Sequence, residues 1–122
     1  MIDIQDLAGR YVAVWNEVDP GARRKAVERL WAPDGVELRP DKEHRGYDEL
    51  EQRVVGAYEQ LVAGGGYAFH LDGPAHGHHE MVVFRTTMTP AAGGPVEWVG
   101  LMVLLLDDDG RIRRDYQFAL TG

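Results

Sequence analysis

The C-terminal end of the chain admits few folds. An apolar run, Val99 to Leu106, meets the acidic turn Asp107-Asp108-Asp109-Gly110, and a second strand-like stretch, Ile112 to Leu120, follows. The glycine supplies the positive φ that a tight hairpin needs, so the pattern predicts two long antiparallel strands. Strand side chains alternate, which puts Asp115 and Gln117 on one face and Tyr116 and Phe118 on the other. Asp is disfavoured within strands. Asp115 therefore marks either an acid/base group or one half of an ion pair with Arg113 or Arg39.

Upstream, Ile4, Leu7, Ala8, Tyr11, Val12, Val14, Trp15 and Val18 recur at spacings of three and four, an amphipathic helix with a wide apolar face. Asp3 is placed to cap it and Asp19-Pro20-Gly21 to end it. A shorter helix with Ala22, Ala26, Val27 and Leu30 inward is expected next. Trp31 to Gly35 reads as a break, Val36 to Leu38 as a short strand and Arg39 to Gly46 as a polar loop. A third helix opens near Tyr47 and Asp48, buries Leu50, Val54, Ala57, Tyr58 and Leu61, and stops at Gly64-Gly65-Gly66. Tyr67–Leu71, Met81–Thr89, Val96–Leu106 and Ile112–Leu120 then read as strands. Three helices followed by an antiparallel sheet is an α+β layout. With no repeat and no shift in composition, residues 1–122 are expected to form a single domain. A sheet closed on one side by helices makes a cone with room for a ligand at its wide end.

Composition removes several classes of function. A net charge of -7 argues against nucleic acid, and the one basic cluster, Arg23-Arg24-Lys25, reads as a solvated helix face. The chain has no cysteine, hence no disulfide, thiol nucleophile or thiolate metal site. No signal peptide is visible, and the longest apolar run is far short of the ~20 residues of a membrane span. A cytoplasmic protein without a membrane or nucleic-acid partner is expected.

Four segments carry a resemblance: Arg10-Tyr11-Val12-Ala13-Val14-Trp15-Asn16, Leu30-Trp31-Ala32-Pro33-Asp34-Gly35-Val36, Arg45-Gly46-Tyr47-Asp48-Glu49-Leu50 and Asp107-Asp108-Asp109-Gly110-Arg111-Ile112. Together they resemble the nuclear transport factor 2-like superfamily, which includes SnoaL-type polyketide cyclases, ketosteroid isomerases and limonene epoxide hydrolases. The resemblance implies a cystatin-like cone, with Phe84, Thr86, Met88, Trp98, Gly100 and Met102 lining a cavity and Asp115 and Gln117 pointing into it. Tyr11 falls where ketosteroid isomerases keep an oxyanion-hole tyrosine, but their two carboxylates fall at Arg39-Pro40 and near Met102. The last-strand Asp of SnoaL-type cyclases falls at Gln117, two residues after Asp115 on the same face. For the Asp-Arg-Asp relay of the epoxide hydrolases only Asp115 and Arg39 are assignable.

Enclosed by Trp98, Phe84 and Met102, Asp115 is expected to have a raised pKa, suited to general acid/base work. Tyr11 and Gln117 would donate hydrogen bonds to a developing oxyanion. Trp15, Trp31 and Trp98 would form flat apolar walls, with Arg39 as a further ligand-binding residue. His76-Gly77-His78-His79 lacks the convergent third and fourth ligands of a metal site, and His70 faces either the cavity or solvent. No metal or cofactor is expected. Val83, Val99, Leu101, Val103, Tyr116 and Phe118 give the outer sheet face an apolar character that predicts a homodimer. Two functions fit: cyclisation, isomerisation or hydration of a small apolar or cyclic carbonyl-bearing substrate by proton transfer, or a non-catalytic ligand-binding or dimerisation module.

Overall fold

The computed structural model describes residues 2–121. Three helices, α1 (Ile4–Asn16), α2 (Pro20–Leu30) and α3 (Gly46–Ala57), pack on a six-stranded sheet of β1 (Trp31–Arg39), β2 (Lys42–Arg45), β3 (Tyr67–His78), β4 (Met81–Pro90), β5 (Trp98–Leu106) and β6 (Ile112–Thr121), in spatial order β2-β1-β6-β5-β4-β3. The expected α+β class holds, with one difference. β1 runs parallel to β6 while every other neighbouring pair is antiparallel.

Asp3 caps α1, its carboxylate accepting the N–H groups of Gln5 and Asp6, a contribution of about 1 kcal/mol. The three-four spacing places Leu7, Ala8, Tyr11, Val14 and Trp15 against the sheet. The helix stops at Asn16, so Val18 lies outside it and is exposed. Asp19 caps α2, with Pro20 in the first turn where its missing N–H costs nothing. The first residue of the basic cluster departs from the expected solvated face. Arg23 is buried, donates from Nε and Nη2 to the Glu17 carbonyl at 3.1 and 2.7 Å, and lies over the Tyr58 ring. It thus satisfies the open carbonyls at the end of α1.

The segment 31–45 is also more regular than expected. The stretch read as a break is the first half of β1, where an irregular register between Trp31 and Val36 accommodates Pro33 and Gly35. The expected polar loop is the end of β1, a turn and β2. β3 continues to His78, absorbing most of the His-rich turn. A π-helical turn, Tyr58–Ala63, carries the chain from α3 to the glycines and places Gln60 and Leu61 beside the cavity described next.

Candidate active site

Glu37 on β1 and Asp115 on β6 are partners in the parallel register. Both turn toward the helices and both are fully buried. Their surroundings differ. Glu37 receives Arg53 Nε at 3.1 Å on each oxygen, and Arg39 Nε lies 3.6 Å from its Oε1. Asp115 has no cation partner. Tyr11 Oη lies 2.7 Å from its Oδ2, and Gln117 Nε2 donates to the same phenolic oxygen at 2.7 Å. Asp115 Oδ1 has no partner.

This asymmetry sets the proton affinities. Burial pushes the Asp115 carboxyl well above the usual carboxylate range, and the negative charge of Glu37 beside it adds to the rise. The hydrogen bonds of Tyr11 and Gln117 pull the other way and are outweighed. Tyr11 is also pushed well above its ordinary value, by burial first and then by the Asp115 charge. The phenol therefore keeps its proton. When Asp115 is protonated as well, its O–H and the Gln117 amide can both donate to Tyr11 Oη. That leaves the phenolic O–H available to a third group, and each donated bond polarises it further.

The third group would sit in a cavity of about 410 Å³, within the ~300–1,000 Å³ range of small-molecule sites. Val12, Trp15, Phe69, Met88, Trp98 and Met102 make its apolar walls, while Tyr11, Gln117, Thr86, Gln60, Arg39 and Arg53 supply polar groups. Among the described residues no carboxylate lies on its surface, so Asp115 acts on it through Tyr11. Tyr11 is fixed by its rings of neighbours: Phe84 meets it edge-on at 5.3 Å, with Trp31 and Trp15 at 5.7 and 6.0 Å. Beside the arginines, burial and the two cations hold the His44 ring below its ordinary pKa. The neutral ring accepts a hydrogen bond from Arg39 Nη2 at 2.9 Å.

A family model for the SnoaL-like domain matches residues 8–115. The chain belongs to the SnoaL-like family. Among solved structures, a SnoaL-like family protein from Agrobacterium tumefaciens described as a candidate isomerase is 27% identical, with a TM-score of 0.84 over 93% of this chain and 94% of that one. A candidate polyketide cyclase from Sinorhizobium meliloti is 18% identical, with a TM-score of 0.70 over 93% and 94%. A protein of unknown function with a cystatin-like fold from Methylobium petroleophilum is 18% identical, with a TM-score of 0.72 over 98% and 76%. These matches place the fold in the nuclear transport factor 2-like superfamily. A comparison with curated proteins returned no match.

In this SnoaL-like domain the sequence-derived site comes together in part. Tyr11, Asp115 and Gln117 form one hydrogen-bonded trio, and Trp15, Arg39, Thr86, Met88, Trp98 and Met102 line the cavity. Three expected lining residues do not reach it. Trp31 is wholly buried behind Tyr11, and Phe84 is 2% exposed and serves as a brace for the Tyr11 ring. Gly100 is covered by the Trp98 ring, which occupies the space where a Cβ would stand. Neither Arg113 nor Arg39 pairs with Asp115; the partner of Arg39 is Glu37. Phe118 pairs with Leu101 in the outer-face register, as expected, and also borders the cavity mouth.

Glu37 and Arg53 were not foreseen. The spacing Glu37-Leu38-Arg39 puts acid and base on one strand face, and Arg53 follows Leu50 by three positions on the buried side of α3. Both signals are present in the sequence. Among the described residues, no three His, Cys, Asp or Glu side chains converge to hold a metal ion. His70 faces solvent, its Nε2 2.9 Å from Thr89 Oγ1.

Proposed function

We propose that this SnoaL-like protein is an enzyme that catalyses proton transfer on a small cyclic or carbonyl-bearing substrate, as in an isomerisation, cyclisation or hydration. The observation that carries the reading is the trio itself: a phenol on the wall of an apolar cavity, backed at 2.7 Å by a buried carboxyl and at 2.7 Å by an amide. Tyr11 would donate to the substrate oxygen as negative charge develops there. Asp115 would pass its own proton to Tyr11 as the phenolic proton moves to the substrate oxygen, the carbon-bound proton would leave to a water molecule in the cavity, and Gln117 would hold the phenol in line. Trp15 and Trp98 would flank a ring. The Agrobacterium relative described as a candidate isomerase agrees with this reading.

The test is solvent exchange. Cyclic ketones such as 2-tetralone are incubated with protein in D₂O and their α-proton signals followed by NMR. The expected result is exchange faster than buffer that falls at least tenfold in both Tyr11→Phe and Asp115→Asn, in keeping with the ~10²–10⁴-fold worth of positioned acid/base groups. Exchange that is equal in both variants and the parent refutes the assignment.

One observation favours a second reading. Asp115 is shut off from the cavity surface, as it would be in a module that binds a small ligand without transforming it. Binding of the same ketones with no exchange would select that reading. We also infer that two copies associate through the outer sheet face. Val83, Leu101, Val103 and Tyr116 are only half-buried there and Phe118 is 48% exposed, and apolar faces of that kind mark interaction surfaces.

A further inference from the structure

Among the described residues the cavity wall carries two guanidinium groups and no carboxylate. The one acid that holds them in place, Glu37, lies wholly behind the wall. Arg53 Nε is 3.1 Å and Arg39 Nε 3.6 Å from the same Glu37 oxygen, so the two forks stand side by side. One negative charge faces two positive ones. His44 adds no charge, because its ring is held below its ordinary pKa, and the neighbouring Asp115 carboxyl is held above its own.

The donor inventory leads the same way. A guanidinium has five N–H donors. Arg53 uses its Nε on Glu37, and among the described residues neither of its terminal nitrogens meets an acceptor. Its planar head lies 4.9 Å from the ring centroid of Trp15, itself a cavity residue, which fixes the direction of the fork. Arg39 spends Nη2 on His44, while among the described residues its Nη1 has no acceptor and its buried Nε has no hydrogen-bond partner. A rigid pair of forks with spare donors, one net positive charge and apolar surroundings matches a planar oxyanion.

We propose that Arg39 and Arg53 form a carboxylate-binding subsite, so that the substrate is an apolar, ring-bearing carboxylic acid with its reacting oxygen at Tyr11. The substrate class deepens the proton-transfer reading above and rests on the same cavity. The carboxylate would engage the two forks, the ring would lie against Trp15 and Trp98, and the remaining oxygen would meet the phenol. The acid would arrive ionised, and its charge would be neutralised by the second guanidinium rather than by a proton.

Three probes with one aromatic body separate the possibilities: 2-naphthoate, 2-naphthamide and 2-acetylnaphthalene. Affinity is read at pH 7 by isothermal titration calorimetry on the parent protein, Arg39→Gln and Arg53→Lys. The expected result is naphthoate binding at least tenfold tighter than the amide. The preference should fall below threefold in Arg39→Gln and be partly kept in Arg53→Lys, which retains the charge but loses the fork. Arg39→Gln is the informative variant, since Glu37 keeps its two bonds from Arg53; its thermal melt establishes that it folds. Where it does not fold, the reduced preference in Arg53→Lys decides the matter. Amide or ketone binding as tightly as the acid overturns the subsite and leaves the proton-transfer reading standing. A preference for acid undiminished in either variant also overturns the subsite. Failure of all three probes to bind at millimolar concentration overturns both.

Discussion

Replacing Asp115 by Asn changes little in shape but removes a titration, and the consequence for stability can be worked out. The native carboxyl binds its proton more tightly than the unfolded one because burial and Glu37 both disfavour the charge. A group whose folded pKa is raised contributes stability that is complete below the unfolded value and is lost as pH rises to the folded value. Between those limits the loss is about 1.4 kcal/mol per pH unit. Asn has no proton to lose. Its amide can donate to Tyr11 Oη, so the pH-independent difference stays within about 1 kcal/mol, the net worth of one hydrogen bond. The stability of Asp115→Asn relative to the parent should therefore climb with pH from about 4 upward, at about 1.4 kcal/mol per unit, and level off once the native carboxyl ionises. Urea unfolding of both proteins at half-unit steps from pH 4.5 to 8 reads the slope directly. Parallel curves across that range would refute the claim that the folded protein holds Asp115 protonated, whatever the offset between them.

Three further outcomes follow from the geometry. Arg53→Met leaves Glu37 buried with only the longer contact to Arg39 and should cost about 3 kcal/mol in urea unfolding; a loss under 1 kcal/mol would mean that Arg39 and His44 suffice. Gly100→Ala drives a methyl group into the Trp98 ring and to 2.7 Å from Met102 Cε. It should cost about 1–3 kcal/mol and alter Trp98 fluorescence, and an unchanged spectrum would contradict the close packing. Leu101→Arg, on the half-buried outer face, should convert a dimer to a monomer in sedimentation equilibrium. An unchanged mass would place any self-association elsewhere.

The sequence exposed the parts of this molecule that follow a period. The apolar face of α1 and the β5–β6 hairpin repeat at 3.6 and 2 residues, and both occur, with α1 ending before Val18 and β5 opening at Trp98. β1 was hidden because Pro33 and Gly35 interrupt it, and its irregular register tolerates them. The acid and base of Glu37-Leu38-Arg39 are legible on one strand face, but that this face turns inward to meet Arg53 depends on how α3 packs over β1, which no local pattern contains. For the same reason Asp115 is legible as an oddity, an acid in an apolar strand, with acid/base work and an ion pair to Arg113 or Arg39 both open from the sequence. The parallel register with β1 directs the arginines to Glu37 and leaves Asp115 to Tyr11. Gly100 was legible only as a missing side chain, and what fills the gap is the Trp98 ring two residues away.

A ¹³C NMR titration of the side-chain carboxyl of Asp115, assigned by its absence in Asp115→Asn, tests the central claim most directly. The account predicts that this carbon remains in its protonated state well above pH 4 and titrates together with a shift in the Tyr11 Cζ resonance. A midpoint at or below the ordinary carboxylate value of about 4, with Tyr11 unmoved, would contradict it.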